Sequence, residues 1–162
     1  MTTNNSFFGH PRQLSTLFHI ELWERFSFYG MQGILFIYLY YSATKGGLGF
    51  SEAAAGGLVG AYGGSVYLST ILGGWLADRI FGAERTLFYA GILVMTGHIA
   101  LAVIPGVDGL IAGLVCIALG SGGVKASASS MVGALYEDEQ LRPLLDAGFS
   151  IFYIAINIGG FL

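Results

Sequence analysis

The sequence predicts an all-α membrane protein in which five long apolar segments each cross a bilayer. Of its 162 residues, 54% are hydrophobic and 10% are charged, whereas globular proteins carry about 25% charged residues. A spanning helix needs about 20 predominantly apolar residues, and core segments of soluble proteins are usually shorter. The net charge of −3 and the lack of any basic run exclude nucleic acid as a predicted partner.

The five segments follow a polar stretch, residues 1–16, which we expect to be a cytoplasmic N-terminal segment before a transmembrane bundle over residues 17–162. Ser51 is a suitable N-cap for the second helix, Pro105 ends the third, and Pro143 fits the first turn of the fifth. The expected helices cover residues 17–41, 52–77, 86–104, 110–136 and 144–162.

The basic residues outside the apolar segments predict the orientation. Cytoplasmic loops of membrane proteins carry an excess of lysine and arginine. With the N-terminus inside, only Lys45 is outside, whereas the cytoplasmic side holds Arg12, Arg79, Arg85 and Arg142. We therefore expect a multi-pass protein of the cell membrane with a cytoplasmic N-terminus.

The first helix carries charges within its apolar segment. At about 100° per residue, its ionisable and polar groups and two aromatic rings fall within roughly 140° of arc. An ionisable residue at the centre of a bilayer costs about 2.5 to 3.5 kcal/mol on insertion scales, so such a residue indicates a functional site. This face consists of Glu21, Glu24, Arg25, Phe28, Tyr29 and Gln32.

Lys125 lies deep within the fourth segment and needs a carboxylate or water as a partner there. The candidate partners are Glu21 and Glu24. Protonation of one carboxylate would release a cation to pair elsewhere, which is the physical basis of a proton-driven switch. A static salt-bridge network that fixes the packing of the helices is the alternative.

Small residues recur every four positions in the second and fourth helices. Such stripes let helix backbones approach closely in lipid. We therefore expect the second and fourth helices to be buried among neighbours and the third, which lacks a stripe, to lie nearer the periphery. The stripes are Gly56, Gly60 and Gly64; Gly57, Ala61, Ser65, Ser69 and Gly73; and Ala118, Gly122, Ala126 and Ser130.

Other polar groups in or beside the spans give weaker signals. Asn157 places an amide in the fifth segment, where it needs a partner, and Tyr67 is amphipathic and common at membrane interfaces. By composition alone, the turn that contains Asp78, Arg79 and Arg85 is a solvated loop. The single cysteine, Cys116, provides neither a disulfide framework nor a metal site, so we expect no metal and no cofactor.

Four motifs in order resemble those of the proton-dependent oligopeptide transporter family of the major facilitator superfamily. Residues 21–30 resemble its first-helix ExxERFxYYG signature, and residues 74–82 resemble the superfamily loop after helix two. Lys125 matches the family's lysine on helix four, and residues 152–159 match its helix-five signature. The resemblance covers nearly the whole chain from His10 onward.

This resemblance implies five helices of an N-terminal six-helix bundle, with the C-terminal half of a longer transporter absent from the chain. It implies that the protein is not an enzyme. The implied function is that of a proton-coupled symporter that moves di- and tripeptides into the cell by alternating access. Proton coupling is assigned to Glu21, Glu24 and Lys125, and a cytoplasmic latch to Asp78, Arg79 and Arg85. The peptide site is assigned to Arg25, Tyr29, Gln32, Tyr67, Lys125 and Asn157.

Two positions depart from the family pattern. Phe28 replaces the first tyrosine of the usual pair, and Gln32 stands where many members have a second arginine. These departures leave open a carrier of the same superfamily for another anionic or zwitterionic solute, such as nitrate or an amino-acid derivative. A non-transporting five-helix membrane scaffold is the alternative from a different class.

Overall fold

A computed structural model of the protein describes residues 6–162, and this part of the chain folds into five long helices joined by short turns. No β-strand occurs among these residues; Phe7 and His10 form an isolated bridge. The helices are α1 (Arg12–Tyr40), α2 (Glu52–Leu76), α3 (Ala83–Val103), α4 (Gly106–Ala134) and α5 (Leu145–Phe161). The prediction of five helices in an all-α fold is confirmed.

Three segments of the described chain are both long and apolar enough to span a bilayer: Ala83–Val103, Gly106–Ala134 and Arg142–Phe161. Helices α1 and α2, with 29 and 25 residues, also have the length to cross. Their mean hydropathy is lower because α1 carries the charged face and α2 is rich in glycine.

Helix α1 begins at Arg12, five residues before the expected start at residue 17. Leu14 and Leu17 are buried, so the first turns are held by packing although their sequence is polar. Helix α3 starts at Ala83, which places Arg85 in its first turn, and α4 starts at Gly106 directly after Pro105.

Packing divides the chain into two compact units, and both α1 and α4 contribute to each. One unit is Gly30–Ser127. The other joins residues 6–29 to Ala128–Leu162.

Within Gly30–Ser127, α4 is the central helix. A Cβ on Gly73 of α2 would lie 2.6 Å from the Cα of Gly123, and a Cβ on Gly97 of α3 would lie 2.6 Å from Ile117. The Ser69 hydroxyl donates a hydrogen bond to the Ala118 carbonyl oxygen at 2.5 Å. The expected close approach of helices along the α4 stripe is confirmed.

The expectation for α2 is wrong in part. The stripe of Gly56, Gly60 and Gly64 has no described atom within 4 Å of the positions that Cβ atoms would take. This side of α2 is therefore open, because no other helix of the described chain reaches it. The second stripe does pack, through Ser69 and Gly73.

The other unit packs α5 against the first half of α1 and anchors the N-terminal turn. A Cβ on Gly148 would overlap the hydroxyl and the ring of Tyr136, so only glycine fits beneath that ring. The Tyr136 hydroxyl lies 2.8 Å from Nδ1 of the buried His10. Burial raises the pKa of the Tyr136 phenol.

Candidate functional site

The charged cluster, defined as Glu21, Glu24 and Arg25, is buried on α1. Glu21 and Arg25 are only 1% and 2% exposed. Arg25 Nε lies 3.3 Å from Glu21 Oε1, one helical turn earlier, and the guanidinium also pairs with Glu24. One cation is thus shared between two carboxylates, of which Glu21 stands at the i,i+4 spacing that favours an ion pair.

The cluster retains unused hydrogen-bonding capacity. Glu24 Oε1 is buried and has no hydrogen-bond partner among residues 6–162. Buried polar atoms are nearly always hydrogen-bonded, and an exception needs an explanation. The Glu24 Oε1 atom can therefore accept a further hydrogen bond.

Phe28 contributes a ring to this site. The Arg25 guanidinium carbon lies 5.0 Å from the centroid of the buried Phe28 ring, within the range of a cation–π interaction. The face of a phenylalanine ring makes this contact without the hydroxyl that a tyrosine would bring. The departure from the family pattern therefore keeps the packing on Arg25.

Two adjacent glycines of α5 hold this part of α1 in place. A Cβ on Gly159 would overlap the Leu22 carbonyl oxygen and lie 3.0 Å from Arg25 Cβ. A Cβ on Gly160 would lie 3.1 Å from the ring of Tyr29. Gly159 is part of the helix-five motif, but no packing role was predicted for either glycine, although a Gly-Gly pair within an apolar helix is a usable signal of close helix approach.

Tyr29 and Asn157 both present polar groups at the surface of this unit. The Tyr29 ring packs edge-on against Phe28, with 5.2 Å between centroids, and remains about half exposed. The exposed Asn157 donates one amide hydrogen to the Tyr153 carbonyl oxygen at 2.9 Å. Its amide oxygen is left to accept a further hydrogen bond.

In Gly30–Ser127, Lys125 and Tyr67 form a second pair. Lys125 Nζ lies 4.4 Å from the centroid of the Tyr67 ring. Lys125 is half-buried, whereas Tyr67 is 56% exposed. The close α2–α4 crossing at Ser69 and Gly73 brings the two side chains together. The pairing of Lys125 with the carboxylates of the first helix stays a prediction.

Gln32 lies against α2. Its Nε2 is 3.1 Å from the position that a Cβ on Gly63 would take. Any larger residue at position 63 would therefore move the amide. Gln32 is half-buried, and its amide is the end that contacts α2.

The residues of the predicted latch lie around the connection from α2 to α3. Asp78 and Arg79 belong to a π-helical turn, Ala77–Phe81, and Arg85 lies in the first turn of α3. All three are exposed, and the described chain contains no ion pair for any of them. Gly82, with φ of 80°, makes the tight turn between the two helices.

No group of three His, Cys, Asp or Glu side chains in residues 6–162 is placed to hold a metal ion.

Comparison with known proteins identifies the family. The sequence profile of the POT family (PTR2) matches residues 84–162. The chain is 53% identical over 156 residues to the uncharacterized transporter YclF of Bacillus subtilis (strain 168), covering 96% of this chain and 31% of that protein. It is 51% identical over 162 residues to a di-/tripeptide transporter of Lactococcus lactis subsp. lactis (strain IL1403), covering 99% and 32%.

Solved structures agree with this result. A peptide transporter POT (E310Q mutant) in complex with alafosfalin matches with a TM-score of 0.88 and 52% identity, over 95% of this chain and 31% of that one. A POT family transporter in complex with 5-aminolevulinic acid matches with a TM-score of 0.89 and 41% identity, over 96% and 31%.

The chain thus spans about 31% of the length of these relatives. Their names describe transporters and not enzymes, which agrees with the prediction that this chain catalyses no reaction. The five-helix fold matches the same structures over nearly the whole chain. The chain belongs to the POT family of membrane transporters, as its motifs predicted.

Proposed function

We propose that the chain is the N-terminal part of a cell-membrane carrier that takes up di- and tripeptides together with protons by alternating access. The buried charged cluster is the observation that carries this proposal, since one arginine is shared by two carboxylates. The names of relatives that are di-/tripeptide transporters support the substrate class. The remaining helices of the carrier, its C-terminal half, lie outside this chain.

In this proposal, protonation of Glu24 frees half of the Arg25 guanidinium for the substrate. Glu24 Oε1 lacks a hydrogen-bond donor among the described residues, so a proton can add there without breaking a hydrogen bond. The neutral acid holds Arg25 less strongly. A peptide carboxylate then replaces Glu24 as the partner, with the fork geometry that guanidinium offers to carboxylates.

Glu21 and Lys125 complete the proton-coupling set that we propose. Glu21 stays paired with Arg25, with 3.3 Å between Glu21 Oε1 and Arg25 Nε. It keeps the guanidinium oriented when protonation of Glu24 weakens the second ion pair. Within the described residues of its own unit, the Lys125 ammonium makes one contact that involves its charge. This is the cation–π contact with the Tyr67 ring. A lysine in that setting can accept a new anionic partner as protons arrive and leave.

The exposed rings and amides form the peptide-contacting set. Tyr29 and Tyr67 offer hydroxyls and ring faces, while Gln32 and Asn157 offer amides. Peptides are zwitterions with hydrogen-bonding backbones, so amides and hydroxyls suit the space between the charged ends. Because Gln32 replaces an arginine, recognition of the peptide carboxylate rests on Arg25 and Lys125.

We also propose that Asp78, Arg79 and Arg85 act as a conformational latch on the cytoplasmic side. Their exposure leaves them able to pair with residues outside this chain. The helix bounds support a cytoplasmic N-terminus because four cations lie at helix ends that this orientation puts inside. These ends are the starts of α1, α3 and α5 and the end of α2, and the cations are Arg12, Arg79, Arg85 and Arg142. Lys45 follows the end of α1, so the positive-inside rule favours a cytoplasmic N-terminus.

Uptake by the complete transporter in liposomes tests the mechanism. With Glu24→Gln, proton-driven accumulation of a dipeptide should fall to the level of protein-free liposomes, whereas exchange of labelled for unlabelled dipeptide should persist. With Arg25→Lys, both activities should fall, because lysine lacks the guanidinium fork.

Glu52→Gln is the matched control, since it removes an exposed carboxylate at the start of α2. It should leave both activities unchanged. Wild-type accumulation by Glu24→Gln would overturn the proposed coupling role.

A carrier for another zwitterionic or anionic solute is the second candidate. Gln32 in place of an arginine favours it, as does the related POT transporter in complex with 5-aminolevulinic acid. Competition between dipeptides and such solutes for uptake separates the two functions. The coding sequence beyond Leu162 tests the five-helix scaffold, which requires a stop codon there.

A further inference from the structure

The buried Ser69 of α2 joins that helix to α4 by a hydrogen bond. Ser69 is 8% exposed, and its hydroxyl donates to the Ala118 carbonyl oxygen at 2.5 Å. The Val66 carbonyl oxygen of its own helix lies 2.9 Å from the same hydroxyl. Ala118 is also buried, so this contact does not depend on what covers the outer surfaces of the two helices.

Glycines of α4 make room for this hydroxyl. A Cβ on Gly122 would overlap the Ser69 hydroxyl and lie 2.7 Å from the Thr70 backbone nitrogen. One turn further along α2, Gly73 approaches Gly123 in the same way. Glycine surfaces allow this close contact but favour no particular register. The Ser69 hydroxyl does favour one, since a hydrogen bond requires its acceptor at a defined distance and angle.

The pair of Lys125 and Tyr67 lies beside this crossing. Tyr67 precedes Ser69 by two residues on α2, and Lys125 follows Gly122 by three residues on α4. The ammonium is 4.4 Å from the centroid of the Tyr67 ring. A shift of α4 by one residue would move Lys125 by about 1.5 Å along the helix and about 100° around it. Such a shift would take the ammonium off the ring face.

We propose that Ser69 is a positioning residue for Lys125. Its hydrogen bond to Ala118 sets the register of α4 on α2, and this register places the Lys125 ammonium on the Tyr67 ring. Ala118 precedes Lys125 by seven residues, or about two helical turns, so both lie on the same side of α4. The positioning of Lys125 is independent of transport, whereas its effect on uptake rests on the proposed function.

Ser69→Ala isolates the hydrogen bond. Alanine keeps the Cβ that packs at the crossing, and the Ala118 carbonyl oxygen retains its place in the backbone hydrogen bonds of α4. No buried acceptor is left unsatisfied, so the variant should fold. Thr70→Val is the matched control, because Thr70 is the next residue of α2 and its hydroxyl donates to the Val66 carbonyl oxygen of its own helix at 3.1 Å.

Fluorine NMR of the complete transporter in detergent, with 3-fluorotyrosine incorporated at position 67, tests the positioning. Lys125→Gln defines the resonance of the ring without its cation. Ser69→Ala should move the resonance at least about half of the way to that value, because the ammonium leaves the ring face. Thr70→Val should keep the wild-type resonance. An unmoved resonance in Ser69→Ala or in Lys125→Gln would overturn the proposal, and so would an equal displacement in Thr70→Val.

Dipeptide uptake separates the positioning of Lys125 from its role in transport. KM should rise about threefold in Ser69→Ala and in Tyr67→Leu, since both lose the same cation–π contact. The double variant should show no larger rise, because the contact is lost only once. Multiplication of the two effects would overturn the proposal. Wild-type uptake by Ser69→Ala, together with a displaced resonance, would refute the transport role of Lys125 and support its positioning by Ser69.

Discussion

Gly159 of α5 packs against Arg25 of α1 so closely that a methyl group on the glycine would lie 3.0 Å from the arginine Cβ. The same methyl group would overlap the Leu22 carbonyl oxygen. The position of the guanidinium therefore depends on the absence of a side chain on a different helix.

We expect Gly159→Ala to weaken dipeptide binding by the complete transporter about tenfold. Overpacking of a close contact costs about 1 to 3 kcal/mol, and here backbone would have to move together with Arg25. Calorimetric titration with a dipeptide measures the change, and the thermal midpoint reports stability. Gly91→Ala is the control, because its Cβ would enter open space. Unchanged affinity of Gly159→Ala would contradict this role for the glycine.

Substitutions at Tyr67 test whether its ring holds Lys125. Tyr67→Phe keeps the ring face, so dipeptide uptake should stay within about twofold of wild type if the cation–π contact dominates. Tyr67→Leu removes the ring, and KM for proton-driven uptake should rise about threefold, since cation–π contacts at exposed sites contribute about 0.5 to 1 kcal/mol. An equal loss in the two variants would assign the effect to the hydroxyl instead.

The buried phenol of Tyr136 predicts a loss of stability at high pH. Burial raises its pKa above the ordinary 10.0, so the folded protein holds this proton more tightly than the unfolded chain. Stability is full below pH 10.0 and falls as pH rises toward the folded pKa. The thermal midpoint measured from pH 9 to pH 11 should therefore fall less steeply in Tyr136→Phe.

Tyr89→Phe serves as the control for that series, because Tyr89 is exposed. Its midpoint should follow the wild-type curve over the same range. Identical slopes for Tyr136→Phe and the wild type would show that this phenol makes no pH-dependent contribution.

Much of the fold follows from the sequence because its signals are local. Apolar runs of spanning length predict the five helices, and the 3.6-residue period predicts that Glu21 and Arg25 share a face. The start of α1 at Arg12 was not predictable in the same way. Its first turns are polar in sequence and are stabilised by burial of Leu14 and Leu17.

Contacts between helices were the harder part of the site. Small-residue stripes predict that two backbones approach, yet only the helix crossings decide which glycines carry the contact. A Cβ on Gly73 or Gly159 would meet backbone atoms of another helix, whereas a Cβ on Gly60 would meet no atom within 4 Å. The sequence does not distinguish these three glycines. For the same reason, the ring of Tyr67 could not be identified in advance as the neighbour of Lys125.

The open stripe of Gly56, Gly60 and Gly64 gives α2 one side that is nearly smooth. A helix that packs on this side can bring its backbone close to that of α2, because no Cβ atoms hold the two axes apart. In the carrier that we propose, such a contact offers little steric resistance when two helices shift along each other.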